Sequence, residues 1–187
     1  RQMCIRDRDK ADIINIEPAR QKDWLRSDIS LVQAKVDNIR FKETKQKEPQ
    51  LDIHYTIESS QYGNKTGKRL FIPVNIFHKG FYSPSNQGER TQDIQINYGY
   101  LDIDSLNIRL PEGYEIESLP KTTDMETKFG KFHSSITLEE GGNILIVHRL
   151  LFHQGNYPKE DNTDFMDFRK NVATQYAAKI IVKKSGE

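Results

Sequence analysis

Cysteine is almost missing from this chain of 187 residues, where Cys4 stands alone. One thiol makes neither an internal disulfide nor a cysteine-based zinc centre. Long hydrophobic runs are missing too. The longest aliphatic run, Ile144-Leu145-Ile146-Val147, falls far short of the about 20 residues a membrane helix needs, so no membrane insertion is expected. There is no surplus of either charge: 28 Lys and Arg face 27 Asp and Glu, a net +1. That balance gives no electrostatic footprint for nucleic acid or a membrane surface. There is no Gly-x-Ser-x-Gly elbow and no phosphate loop, since Gly63 and Gly67 lack both the spacing and the Lys-Ser/Thr ending. No cofactor is expected.

What is present is aromatic and alternating. Nine Phe, eight Tyr and one Trp are too many for a disordered tail, even at a mean hydropathy of −0.75. Leu51, Ile53, Tyr55 and Ile57 alternate with polar residues, the period of a strand with one buried face. Val36 and Ile39–Phe41 read as a less regular strand before it, and residues 44–50 as a solvated hairpin connection. Tyr62–Lys68 reads as a turn, and Leu70–Phe77 as a short strand whose Pro73 places it at an edge or a bulge. After a Gly/Pro loop over 80–90, three more alternating runs follow: Ile94–Tyr98, Leu106–Leu110, and Ile116–Leu119 ended by Pro120.

Phe132–Leu138 and Ile144–Phe152 flank Gly141-Gly142, a hairpin signal, and the second of these strands is apolar enough to be central. The period then changes. Phe165, Phe168, Val172 and Tyr176 make a helical stripe, with Asp161, Asn162 and Thr163 as candidate N-caps, before a last strand over 177–182. Pro18 opens a candidate short helix over 19–29, weakened by Asp28 and Ser30. The fold expected is mainly β: an antiparallel sandwich or barrel-like domain over residues 34–187, with one C-terminal helix packed on it. Residues 1–33 read as tail or linker.

Candidate chemistry is sparse. The histidines His54, His78, His133, His148 and His153 include no close-spaced helical pair of the kind zinc favours, so no metal site is expected. Cys4 is terminal and precedes no apolar helix that would lower its pKa. The pairs Asp102/Asp104, Glu115/Glu117 and Glu139/Glu140 suit any strand-rich surface, and no aromatic cleft signal links them to glycosidic chemistry. Phe77, Phe81, Tyr82, Tyr98 and Tyr100 cluster in sequence. They fit an ordinary core, an interdomain contact or a carbohydrate-stacking face. No catalytic residue is assigned.

The run Leu110-Pro111-Glu112-Gly113-Tyr114-Glu115-Ile116-Glu117-Ser118-Leu119-Pro120 carries the most information. Gly67–Pro73 and Arg90 lie upstream of it. Phe129–Phe132, Ile146–Leu151 with Arg149, Tyr157-Pro158, Phe165-x-x-Phe168-Arg169 and Lys179–Lys184 follow in order. This ordered set, over residues 34–184, resembles the C-terminal domain of unknown function that follows the catalytic core of bacterial transglutaminase-like proteins. The resemblance implies a parent with an N-terminal β domain, a papain-like core and this C-terminal domain, in the periplasm or cell envelope. None of the family's catalytic positions map onto this chain. The spacing Cys4…Asp7…Lys10 has a surface likeness to a transglutaminase nucleophile segment, but residues 13–18 are not the Leu-rich helix that segment needs.

Within that resemblance Pro111 and Gly113 turn the chain between strands, and Arg149 is expected to meet a carboxylate or a carbonyl, or to form an interdomain salt bridge. The chain opens on Arg1 with no apolar signal segment in residues 1–20. Residues 1–8 look like translated sequencing-adapter read-through, with an ordinary charged tail as the alternative. The expected function is a non-catalytic accessory domain that docks to the upstream transglutaminase-like domain. The alternative is a stand-alone carbohydrate- or peptide-binding sandwich with a protein or glycan ligand.

Overall fold

The computed structural model describes residues 2–4, 12–45, 47, 49–77, 81, 90–110 and 112–185, without the side chains of 2–4 and 12. The strands are β1 (Gln2–Cys4), β2 (Lys35–Thr44), β3 (Gln50–Glu58), β4 (Asn64–Thr66), β5 (Arg69–Pro73), β6 (Ile94–Ile96) and β7 (Tyr100–Arg109). Then come β8 (Tyr114–Ser118), β9 (Thr123–Thr127), β10 (Gly130–Leu138), β11 (Asn143–Phe152), β12 (Gly155–Tyr157) and β13 (Lys179–Lys184). Two α-helices among the described residues interrupt this series, α1 (Pro18–Asp28) between β1 and β2 and α2 (Asn162–Tyr176) between β12 and β13. A seven-stranded sheet runs β2-β3-β1-β7-β11-β10-β9, a four-stranded sheet β4-β5-β13-β8, and β12 pairs with β6. The fold is mainly β with antiparallel pairing. No barrel closes, because the large sheet ends on β2 and β9.

β11 is central, paired along its whole length with β7 and nearly so with β10. Its alternation explains the layering. Ile144, Ile146, His148, Leu150 and Phe152 are buried on one face, while Leu145, Val147 and Leu151 are half-buried on the other. The buried face takes two covers. At one end α2 lays Phe168, Val172 and Tyr176 on Phe129, Phe132, Leu150 and Phe152. At the other the four-stranded sheet brings Ile72, Val74, Ile180 and Val182 onto Ile136, Ile144 and Ile146. A third cluster joins α1 to β2 and β3 through Ile13, Leu25, Ile29, Val36, Leu51, Ile53 and Ile76. Residues before 34 thus contribute to the core. Lys22 of α1 also reaches Asp37 of β2 at 2.9 Å.

Several local features refine the sequence expectations. The irregularity of β2 is a bulge: pairing shifts between Asp37 and Arg40, and Asn38 takes φ 55°. The extra residue switches the inward parity from Val36 to Ile39 and Phe41. β5 is not an edge strand, since β4 lies outside it. β4 reaches only as far as Phe71, so Pro73 loses no ladder bond there. β9 escaped the sequence reading because Met125 is its sole apolar residue. It is an edge strand, where charge is favoured over hydrophobic alternation. Ile94–Tyr98 shortens to β6, which leaves Tyr98 67% exposed. The caps expected for α2 do not form: Asp161 makes no capping bond, and its carboxylate holds the Lys128 Nζ at 2.6 Å. Gly141 and Gly142 both take positive φ in the β10–β11 connection, as the hairpin reading required.

Candidate functional site

The residues singled out by sequence do not converge. Phe77 is buried against Tyr55 at 6.3 Å in one cluster, while Phe81 packs on Tyr176 at 5.5 Å in another. Tyr100 lies on Phe152 at 5.2 Å, Tyr98 is exposed, and Tyr82 lies outside the described residues. The aromatic cluster is therefore dispersed between cores and surface. Among the carboxylates, Glu117 takes both Arg69 nitrogens at 2.6 and 2.7 Å, Glu115 meets Lys183 at 3.2 Å, and Asp104 is buried. Arg149 corrects the expectation that it meets a carboxylate or a carbonyl within the domain; the interdomain salt bridge is the alternative that stands. It projects from an exposed position of β11, and its side chain makes no ion pair or hydrogen bond among the described residues. Gly113 takes φ 76° in its turn, whereas Pro111 and His78 lie outside the described residues. His133 pairs with Asp124 at 2.7 Å. No three of His, Cys, Asp and Glu come together as metal ligands among the described residues.

One constellation was not foreseen. Ser134, His148 and Asp104 are direct cross-strand neighbours on β10, β11 and β7. The residue types are those of a nucleophile, base and acid, but their place is deep. They are 2%, 2% and 3% exposed, and the imidazole lies between Phe132 at 6.1 Å and Tyr176 at 5.3 Å. His148 Nε2 sits 3.1 Å from the Val74 carbonyl oxygen. A carbonyl only accepts, so that nitrogen carries a proton and donates it to the main chain. The three side chains are sealed from solvent in this structure.

A cavity open to solvent lies elsewhere, between β3 and β7. β1 inserts only three residues between these strands, pairing Gln50–Asp52 on one side and Asp102–Ile103 on the other. Beyond it a cleft of about 640 Å³ opens. Its walls are residues 53–57 of β3 and 105–109 of β7. Ser59, Tyr62, Gly63, Leu70, Ile72 and Phe77 complete the lining. The Tyr62 hydroxyl is buried and makes no hydrogen bond. Burial pushes that phenol well above its ordinary pKa, so it stays protonated and able to donate. The surface offered is that of two strands, with aliphatic and aromatic side chains interleaved with His54, Thr56, Ser59, Ser105, Asn107 and Arg109. Its mixed polar and apolar lining between two strands suits an extended polypeptide segment. A second cavity, between β9 and α2, is lined by Asp124, Glu126, Asp164 and Asp167 with Lys128.

Sequence reading missed the cleft because alternation in β3 and β7 reveals two half-buried strands but not their spacing. Tyr62, in a stretch read as a turn, was the available signal: a large aromatic beside Gly63 needs a surface to cover.

No helix among the described residues is long and apolar enough to cross a membrane, which says nothing of β-barrels. A family model described as a domain of unknown function with a solved structure matches residues 68–182. No curated protein matches the chain. Among solved structures, one described as a "putative protease" from Parabacteroides distasonis is similar at a TM-score of 0.52 and 12% identity, over 62% of this chain. The likeness covers 23% of that protein, so this chain spans less than a quarter of its length. At that identity it shows the fold alone.

Proposed function

The chain belongs to that family of domains of unknown function, DUF3858, and from this premise we propose that it is a non-catalytic accessory domain of a transglutaminase-like polypeptide of the cell envelope. In this reading it docks to the upstream core of the same polypeptide. The observation that carries the reading is the cleft: an open concavity walled by two strands, with a mixed apolar and polar lining of the kind that takes a polypeptide segment. The buried setting of Ser134, His148 and Asp104 supports it, since those groups are walled off by Phe132 and Tyr176. The likeness to one part of a much longer protein also supports it. A stand-alone peptide-binding module is the second reading, favoured by the same cleft.

Two experiments test this. Native genomic sequence upstream of Asp9 is expected to encode an in-frame transglutaminase-like core; a start codon and signal peptide just upstream would turn the balance to the stand-alone module. The purified chain is expected to show neither amine transfer to glutaminyl peptides nor peptide hydrolysis. Turnover that vanishes in Ser134→Ala while the fold persists would overturn the non-catalytic reading.

A further inference from the structure

β9 ends the large sheet on one side. It pairs with β10, and among the described residues no strand pairs its other edge. In an antiparallel pair alternate residues turn their N–H and C=O away from the partner. The five residues of β9 therefore present unpaired main-chain groups along about 17 Å. Such an edge is a template for another strand. It does not border a flat surface. A groove of about 690 Å³ lies beside it, with residues 124–129 as one wall and α2 as the other.

The charge around this edge has one sign. Asp164, Asp167 and Asn171 stand at i, i+3 and i+7, one exposed stripe of α2, and all three line the groove. The carboxylates of Asp164 and Asp167 make no ion pair or hydrogen bond among the described residues. Lys128, the cation in the lining, is held by Asp161 at 2.6 Å and does not offset them. The other face of β9 is acidic too. Met125 packs toward α2, so Asp124 and Glu126, one position away on each side, stand on the far face. They meet His133 at 2.7 Å and Lys131 at 2.6 Å, and both carboxylates stay mostly exposed. A strand laid along this edge has carboxylates beside it on both faces of the sheet.

The same pattern says which strands are refused. A second copy paired edge to edge about Met125 would set Asp124 against Glu126 twice, and like charges placed opposite each other repel. The chain's own basic strand, β13, is already paired with β5 on one edge and β8 on the other. We propose that the edge of β9 receives an extended basic segment of a partner protein, with lysine or arginine side chains beside Asp124 and Glu126 on one face of the added strand and reaching Asp164 and Asp167 on the other. This surface is separate from the cleft between β3 and β7 and goes beyond the docking reading above. Main-chain hydrogen bonds supply the affinity, and the carboxylates select for positive charge. Each exposed ion pair adds little and is screened by salt, so the complex is of modest affinity and weakens as ionic strength rises.

The test titrates the full chain at low salt with acetyl-Lys-Val-Lys-Thr-Lys-Val-Lys-amide and follows NMR shifts and amide hydrogen exchange. Shifts are expected to centre on residues 123–129 and 164–171, and exchange of the outward amides of β9 is expected to slow by about fivefold or more. The double substitution Asp164→Asn, Asp167→Asn alters two exposed side chains without changing their shape, so the fold persists. It is expected to weaken binding by about threefold or more. The same peptide N-methylated at every residue keeps its charge but has no N–H donors, and is expected to lose the protection. Absence of protection at saturating peptide would overturn the proposal. So would equal protection by the N-methylated peptide or by acetyl-Glu-Val-Glu-Thr-Glu-Val-Glu-amide, or affinity unchanged in the double variant. Shifts centred on the cleft between β3 and β7 would overturn the choice of edge.

Discussion

Truncating Phe168 to alanine tests whether α2 is a structural cover or an ornament on a self-sufficient sheet. The ring is 2% exposed and meets Phe152 edge-to-face at 5.6 Å, within a cluster that includes Ile94, Phe129 and Leu150. Removing it takes away the transfer energy of a buried aromatic and leaves a ring-sized cavity, a combined cost of about 3–5 kcal/mol. The lost edge-to-face contact accounts for about 0.5–1.5 kcal/mol of aromatic geometry within that kind of site. Against a total stability of about 5–15 kcal/mol this is a large fraction. For a domain of this size, each kcal/mol shifts the melting temperature by about 2–4 °C, so Phe168→Ala should melt about 6–20 °C lower.

Urea unfolding gives the measurement two independent probes. Far-UV circular dichroism follows the sheets. Fluorescence of Trp24, the chain's one tryptophan, follows the cluster of α1, which contains none of the ring's neighbours. Phe165→Ala is the internal control. That ring is half-buried against Phe129 at 5.1 Å and should cost clearly less. A loss below about 1 kcal/mol for Phe168→Ala, or a cost no greater than that of Phe165→Ala, would refute the account of α2 as the seal over β10 and β11.

Other perturbations follow from particular geometries. Gly130→Ala places a Cβ on the Leu151 carbonyl oxygen, so denaturation should show a loss at or beyond the upper end of the roughly 1–3 kcal/mol overpacking range. An unchanged midpoint would show that β10 can move away from β11. Tyr62→Phe deletes a buried hydroxyl that makes no hydrogen bond, so thermal melting should show equal or slightly higher stability, with a loss of more than about 1 kcal/mol counting against it. Glu117 is held below the usual carboxylate range chiefly by its hydrogen bonds from Arg69, with the charges of Arg69 and Lys183 adding to them. Its folded pKa therefore lies below its unfolded one, so this contribution is complete above the ordinary carboxylate pKa and fades as pH falls through the folded value. A carboxyl NMR titration should find Glu117 titrating low in the parent and nearer the ordinary range in Arg69→Met; no change between the two would contradict the cause assigned.

How far the sequence was legible depends on whether a feature is written in one segment or in several. β11 was legible because a run such as Ile144–Val147 suits little except a strand covered on both sides. α2 was legible from the spacing of Phe168, Val172 and Tyr176, all three of which are buried. β9 was not, because an edge strand is stabilised by its pairing with β10 rather than by a hydrophobic face of its own. The cap of α2 misled for a related reason. Asp161 has the right chemistry for capping, but Lys128, more than thirty residues earlier, competes for the same carboxylate and holds it. The cleft is the extreme case. Its walls belong to strands some fifty positions apart, so no single segment records it.

The Ser134–His148–Asp104 row shows why residue type alone does not locate function. It lies where the two covers of the large sheet meet, because His148 touches Phe132 and Tyr176 of one cluster and Val74 of the other. Val74 directly follows β5, where its strand leaves the ladder, and its carbonyl needs a donor from outside the four-stranded sheet. His148, standing on β11, supplies it across the layer. An apolar side chain of the same shape would pack as well but would leave that carbonyl buried and unsatisfied, at a cost of about 1–3 kcal/mol. The histidine is therefore accounted for by the joint between two layers.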